Sequence, residues 1–287
     1  MNARCWRSAH MLLGAAMALG CTHGGSHAVT TSVTTADPAA APVAGRANPF
    51  FTASPLLNQA PPFDRIRDSD YQPAIEEGMR QQLAEIEAIA NQTAEPTFEN
   101  TISAMERSGV LLTRVRSVFS GVRQANSNDA LQRVQAEEAP KLAAHSDAIH
   151  LNPKLYARVK RLYDDMRAVH ERPPQGLIPE QAFLVERYHR DFVRAGAELN
   201  EADKTKLRAL NQEEATHVAE FQAKLLAATK AGAVVVETQA QLDGLSDGDI
   251  AAAADAAKQR GLTGKWVIPL QNTSSHIASR EPRRDAM

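Results

Sequence analysis

Between Asn48 and Gly232, large apolar residues return every three or four positions and are interrupted by capping residues and prolines, so the chain must bury helical stripes. Six long helices are predicted. The first opens after Asp70 as N-cap and carries Ile75, Met79, Leu83, Ile86 and Ala90 on one stripe. The second follows Pro96 with Thr97 as N-cap and places Phe98, Ile102, Met105, Gly109, Leu112, Phe119 and Val122 on one face, Gly109 marking a close helix approach rather than a break. The third runs from about Asp129 to His150, with a kink expected at Pro140, whose nitrogen cannot donate. Asn152-Pro153 opens the fourth, with the stripe Leu155, Val159, Leu162, Met166 and Val169 and a stop before Pro173-Pro174. The fifth starts near Pro179, ends at Gly196 and turns Phe183, Leu184, Tyr188 and Phe192 inward. The sixth and longest opens at Asn200, with Asp203 three residues later, and closes at Gly232; its seam is Leu207, Leu210, Val218, Phe221 and Leu225.

Past Gly232 the pattern changes. Val234 to Glu237 reads as a short strand, Ser246 to Arg260 as an Ala-rich helix stopped by Gly261, and Lys265 to Leu270 as a second strand. The expected fold class is mainly α, an antiparallel helical array or bundle with a small incomplete β element near the C-terminus. An aromatic content of only 5% agrees, since sandwiches and barrels need aromatic-rich strands. The predicted organisation is a helical domain at 48–232, the start of an α/β subregion at 233–272, and a polar tail at 273–287 rich in arginine.

Ahead of the helices, Arg4 and Arg7 precede a short apolar run, Met11 to Leu19, in the layout of a bacterial secretory signal over 1–20. Two cleavage readings compete. Ala18-Leu19-Gly20-Cys21 resembles a lipobox, whose Cys21 would be acylated, and Ser26-His27-Ala28 offers a small-x-small site. The lipobox is preferred, although Ala18 stands where a larger aliphatic residue is usual. Residues 21–47, rich in Thr, Ala, Pro, Ser and Gly, then read as a flexible tether, and the expected location is periplasmic, with membrane contact only through a lipid anchor. Cys5 and Cys21 are the only cysteines, so the folded part has no internal disulfide. No run reaches the 18 apolar residues of a spanning helix, and a net charge of -2 provides no basic surface for nucleic acid.

Chemistry-bearing motifs are absent. A zinc peptidase needs His-Glu-x-x-His on a helix, where the i and i+4 imidazoles share a face and the Glu activates water. The nearest approach, His170-Glu171-Arg172-Pro173, has proline in place of a continuing helix. His23 and His27 lie in a Gly-rich leader. There is no Gly-x-Ser-x-Gly, Gly-x-Gly-x-x-Gly or Walker loop. Asp243 to Asp249 looks faintly like a calcium loop, but Leu245 occupies a ligand position, and Ser246 as N-cap with Asp249 explains those residues better. Glu76-Glu77, Glu137-Glu138, Asp164-Asp165 and Glu213-Glu214 diverge by ~100° on a helix and read as solvated faces. His145, His150, His189 and His217 are scattered and read as surface or helix-end histidines. No catalytic and no metal-ligating residue is predicted; Cys21 is the one candidate modification site.

Several segments are nevertheless distinctive: Asn48-Pro49-Phe50-Phe51, Pro61-Pro62-Phe63-Asp64, Tyr71-Gln72-Pro73-Ala74-Ile75-Glu76-Glu77-Gly78-Met79 and Pro96-Thr97-Phe98-Glu99-Asn100-Thr101-Ile102. Together with Ala139-Pro140-Lys141-Leu142, Asp191-Phe192-Val193-Arg194-Ala195-Gly196 and Leu262-Thr263-Gly264-Lys265-Trp266-Val267-Ile268, they resemble the amino-terminal half of bacterial peptidyl-dipeptidases (dipeptidyl carboxypeptidases) of the thimet oligopeptidase family. The resemblance runs from about Asn48 to Asn272. It implies a mostly helical, two-lobed, periplasmic zinc metallopeptidase whose deep channel removes dipeptides from the carboxyl end of short peptides. It also implies that 48–232 forms a channel wall or cap and that 233–272 begins the catalytic lobe. The family's zinc ligands and general base lie in the carboxy-terminal half, so no catalytic residue carries over and no zinc is expected on this chain. A frameshift or stop just after Asn272 is one reading of the tail; a short paralogue with its own terminus is the other. The expected function is the inactive, non-catalytic part of such a peptidase, with short peptides and the missing catalytic half as partners. An unfinished strand edge makes the isolated chain aggregation-prone. The rival is a standalone periplasmic helical lipoprotein that binds peptides or a protein partner.

Overall fold

The computed structural model describes residues 46–168 and 177–269. The expected signal, Cys21, nearly all of the tether, His170-Glu171, Pro173-Pro174, Leu270 and the polar tail lie outside the described residues. The fold is mainly α. Its helices are α1 Asp68–Ala90, the single turn α2 Ala104–Glu106, α3 Val110–Ala125, α4 Asp129–His150, α5 Pro153–Ala168, α6 Pro179–Arg194, α7 Glu201–Ala231 and α8 Asp247–Lys258. Two short strands, β1 Val234–Val236 and β2 Trp266–Ile268, pair antiparallel with Val235 opposite Val267.

Capping chemistry sets most of these boundaries. The Asn128, Asn152, Asn200 and Ser246 side chains accept backbone N–H groups of Leu131, Leu155, Asp203 and Asp249, so each orphan first turn has a partner. Ser246 also donates to the Asp249 carboxylate at 2.7 Å, which accounts for the acidic residues that looked like a calcium loop. Past α6 the Ala197 N–H returns to the Phe192 carbonyl and the Gly196 N–H to Val193, with Gly196 at φ +96°: a glycine-terminated C-cap.

Four expectations change. Asp70 is not the N-cap of α1. Arg67 is the last extended residue, and the Asp70 carboxylate sits one turn in, accepting the Arg67 N–H at 2.8 Å and the Arg46 guanidinium at 2.6 Å. The second helix is not continuous: after Thr97 caps it through Asn100, residues Phe98–Ser103 adopt π geometry, α2 adds a turn, and Gly109 at φ +70° breaks the chain before α3. The close helix approach falls instead at Gly78, where a Cβ would lie 2.8 Å from the Leu112 Cα. In α6, Phe183 is 60% exposed, and Val185, fully buried, takes its place, because 185, 188 and 192 share one face. In α7, all of the expected seam except Leu207 is exposed.

Helix α1 lies at the centre, packed on α3, α4 and α5. One apolar core joins its first half to α3 and the start of α4, with Tyr71 between Phe50 and Phe119 at ring-centroid distances of 5.4 and 5.2 Å. A second joins its last turns to α5 and α6 around Ile102, Leu155, Val159, Val185 and Phe192. Helix α4 continues unbroken across Pro140 and packs on α7. A third, smaller cluster of Val236, Leu242 and Ile268 holds the β pair.

Candidate functional site

The histidines do not converge. His145 is buried, not at the surface, and its Nε2 has no hydrogen-bond partner; burial, with help from Arg116 and His150, pushes the imidazole below its ordinary pKa. His150 turns back onto the Ser146 carbonyl, and His217 lies exposed between Glu213 and Glu220. His189 stacks on Tyr163 at 3.8 Å. Its Nε2 is 3.3 Å from the Tyr156 hydroxyl, which donates to the Glu198 carboxylate at 2.7 Å. Burial and then Glu198 raise the Tyr156 phenol, and burial lowers His189, so near neutral pH this cluster holds a neutral phenol and a neutral imidazole. It ties α5 and α6 to the turn before α7. Nothing in it supplies a nucleophile or a metal cage.

The acidic pairs behave unequally. Glu138 is not on a solvated face: it is 1% exposed, and its Oε1 accepts from Gln72 at 3.1 Å and from Lys141 at 2.9 Å. Asp164 and Asp165 do face solvent, each paired one turn back with Lys160 and Arg161. Asp147 is buried beneath α7, accepts the Asn211 amide at 2.7 Å, and is raised in pKa by burial. Among the described residues no group of three His, Cys, Asp or Glu could hold a metal ion, and no helix is long and apolar enough to cross a membrane.

Two surface features remain. An open cleft of about 750 Å³ separates the α3–α4 turn from the second half of α7; it is edged by Arg123 and Lys230 and lined by the amides of Asn126, Gln132, Gln135 and Gln222. Such amides can hydrogen-bond an extended backbone without reading its side chains. The other feature is the face of α7. The helix buries Lys204 and Ala219 toward α4, whereas Leu210, Val218, Phe221 and Leu225 are 59, 43, 64 and 54% exposed. At ~100° per residue the two stripes are centred about 110° apart, so covering one leaves the other open. Periodicity had revealed the apolar stripe, but nothing in it says that a partner is present to cover it. The half-buried clasp of Tyr156, His189 and Glu198 was missed because its members come from three separate segments.

No family model matches the chain. Along 236 residues it is 47% identical to dipeptidyl carboxypeptidase of Escherichia coli (strain K12), covering 82% of this chain and 34% of that protein. It is 46% identical over 231 residues to dipeptidyl carboxypeptidase of Salmonella typhimurium, covering 80% and 33%. It is 25% identical over 214 residues to oligopeptidase A of Haemophilus influenzae, covering 74% and 30%. The chain spans about a third of the length of the curated relatives it matches, and it is similar to a part of a peptidase.

Proposed function

We infer that this chain supplies a helical, non-catalytic portion of a peptidase of the dipeptidyl carboxypeptidase kind, forming part of the wall around its peptide path. The observation that carries this reading is 47% identity over 236 residues, confined to 34% of the Escherichia coli relative. Its substrates are short peptides, from which the complete enzyme releases C-terminal dipeptides, and its location is the periplasm, by way of the signal read over 1–20. Zinc is the metal that the resemblance implies. The described residues do not fit it: they contain no group of three ligating side chains, and the sequence has no His-Glu-x-x-His. No hydrolytic step is therefore assigned to a residue of this chain. What its residues do is hold a scaffold: Arg158, which donates to the Gln92 and Ala94 carbonyls and to Asn100, the Tyr156 clasp and the two apolar cores fix the helices that would line the path.

A chimera tests this reading. The matched segment of the Escherichia coli enzyme is replaced by its counterpart from this chain, and dipeptide release from a peptide with a free carboxyl end is measured with zinc present. Activity is expected in the chimera and not in the 287-residue chain alone. A folded chimera without activity, or hydrolysis by the chain alone, contradicts it. The amide-lined cleft favours a second reading, a binding protein that holds peptides without cutting them. Calorimetric titration of the chain with short peptides separates the two, since only a binding protein retains affinity without the rest of the fold.

A further inference from the structure

The exposed stripe on α7 spans Leu210 to Leu225, about 22 Å of helix at 1.5 Å per residue. Its polar neighbours are already satisfied along the helix: His217 lies between Glu213 and Glu220, and Lys224 pairs with Glu220. What remains unpartnered is apolar. Two residues beyond α7, β1 begins with Val234 and Val235, 39 and 44% exposed, and among the described residues the sheet has only two strands. A two-stranded sheet is marginal in water and gains stability from further strands. Within the stretch 210–235 the helix stripe and the start of β1 are thus both apolar and exposed, and globular proteins rarely leave large apolar patches open.

Three occupants could cover it. Residues 270–287 contain only Leu270, Ile277 and Met287 as large apolar side chains, too few for four helical turns. A second copy could lay the same stripe against itself, which the labelling test below reports. The third occupant follows from length: the matched segment is 34% of the Escherichia coli relative, and the rest of that fold is available to cover what this segment leaves open. We propose that Leu210, Val218, Phe221 and Leu225 of α7, together with the outer edge of β1, form the docking face for the remaining part of the peptidase fold. The face is built to receive an apolar helix along α7 and a strand beside β1. This rests on the reading of the chain as a peptidase portion.

The test places a thiol at Phe221, which is feasible because the native cysteines are only Cys5 and Cys21. Maleimide labelling of residue 221 is followed by mass spectrometry in F221C of the 287-residue chain and in the same variant of the chimera. Labelling at the rate of a free thiol is expected in the chain, and at least tenfold slower labelling in the chimera. Phe221→Glu with Leu225→Glu should leave the circular dichroism of the isolated chain unchanged but reduce soluble chimera. Equal labelling rates in chain and chimera overturn the proposal, even if the chimera is active. Slow, concentration-dependent labelling of the chain by itself overturns it in favour of self-association. A protected thiol in a folded but inactive chimera upholds the docking face while removing the peptidase reading.

Discussion

Arg158 is 6% exposed and reaches out of α5 to three acceptors: the Gln92 and Ala94 carbonyls at 3.1 and 3.0 Å and Asn100 Oδ1 at 2.8 Å. Those acceptors belong to the loop after α1 and the first turn of the π segment, and Asn100 is also the partner of the Thr97 cap. Arg158→Ala removes three hydrogen bonds from a buried guanidinium, and a loss of about 1.5–3 kcal/mol is expected in urea unfolding. His145 makes a second, pH-dependent contribution. Its folded-state pKa is lowered by burial, so the stability it confers is complete above the unfolded value near 6.5 and is lost as pH falls from there through the folded value. His189, also lowered, acts in the same direction. The urea midpoint should therefore drop between pH 7.5 and 5.5, and His145→Gln should flatten that drop; an unchanged slope would show that His145 is not the group responsible. The caps at Thr97, Asn152, Asn200 and Ser246 were legible in the sequence because capping is local, within three residues. The burial of His145 and Glu138 was not, because each depends on helices far away along the chain.

At the scale of elements, period and cap located nearly every helix, but two features of α7 and α6 escaped. Periodicity reports that a stripe exists, not that anything covers it, so Phe221 and Phe192 look alike in sequence while one is 64% exposed and the other fully buried. Substitution should separate them. Phe192→Ala empties a site between α5 and α6 and is expected to cost about 3–5 kcal/mol. Phe221→Glu in the isolated chain should stay within about 0.5 kcal/mol of the parent, as for an ordinary surface position. Comparable losses at both positions would mean that the α7 stripe is covered within the chain. The break at Gly109 escaped for a related reason: glycine at a helix contact and glycine at positive φ leave the same letter, and only the backbone at φ +70°, with the Gln82 side chain where a Cβ would stand, tells them apart.

Across the whole molecule, two apolar cores strung along α1 give a scaffold that folds around its own helices, while the stripe on α7 and the edge of β1 remain open. That division fits a segment similar to a third of a larger peptidase, and its motifs were legible in sequence because they cap and pack the scaffold. The most direct measurement is dipeptide release, assayed side by side for the 287-residue chain with added zinc and for the Escherichia coli enzyme carrying the matched segment of this chain. Release by the chimera and none by the chain is the expected result; release by the chain itself, abolished by a zinc chelator, would contradict the assignment of this segment as a non-catalytic wall.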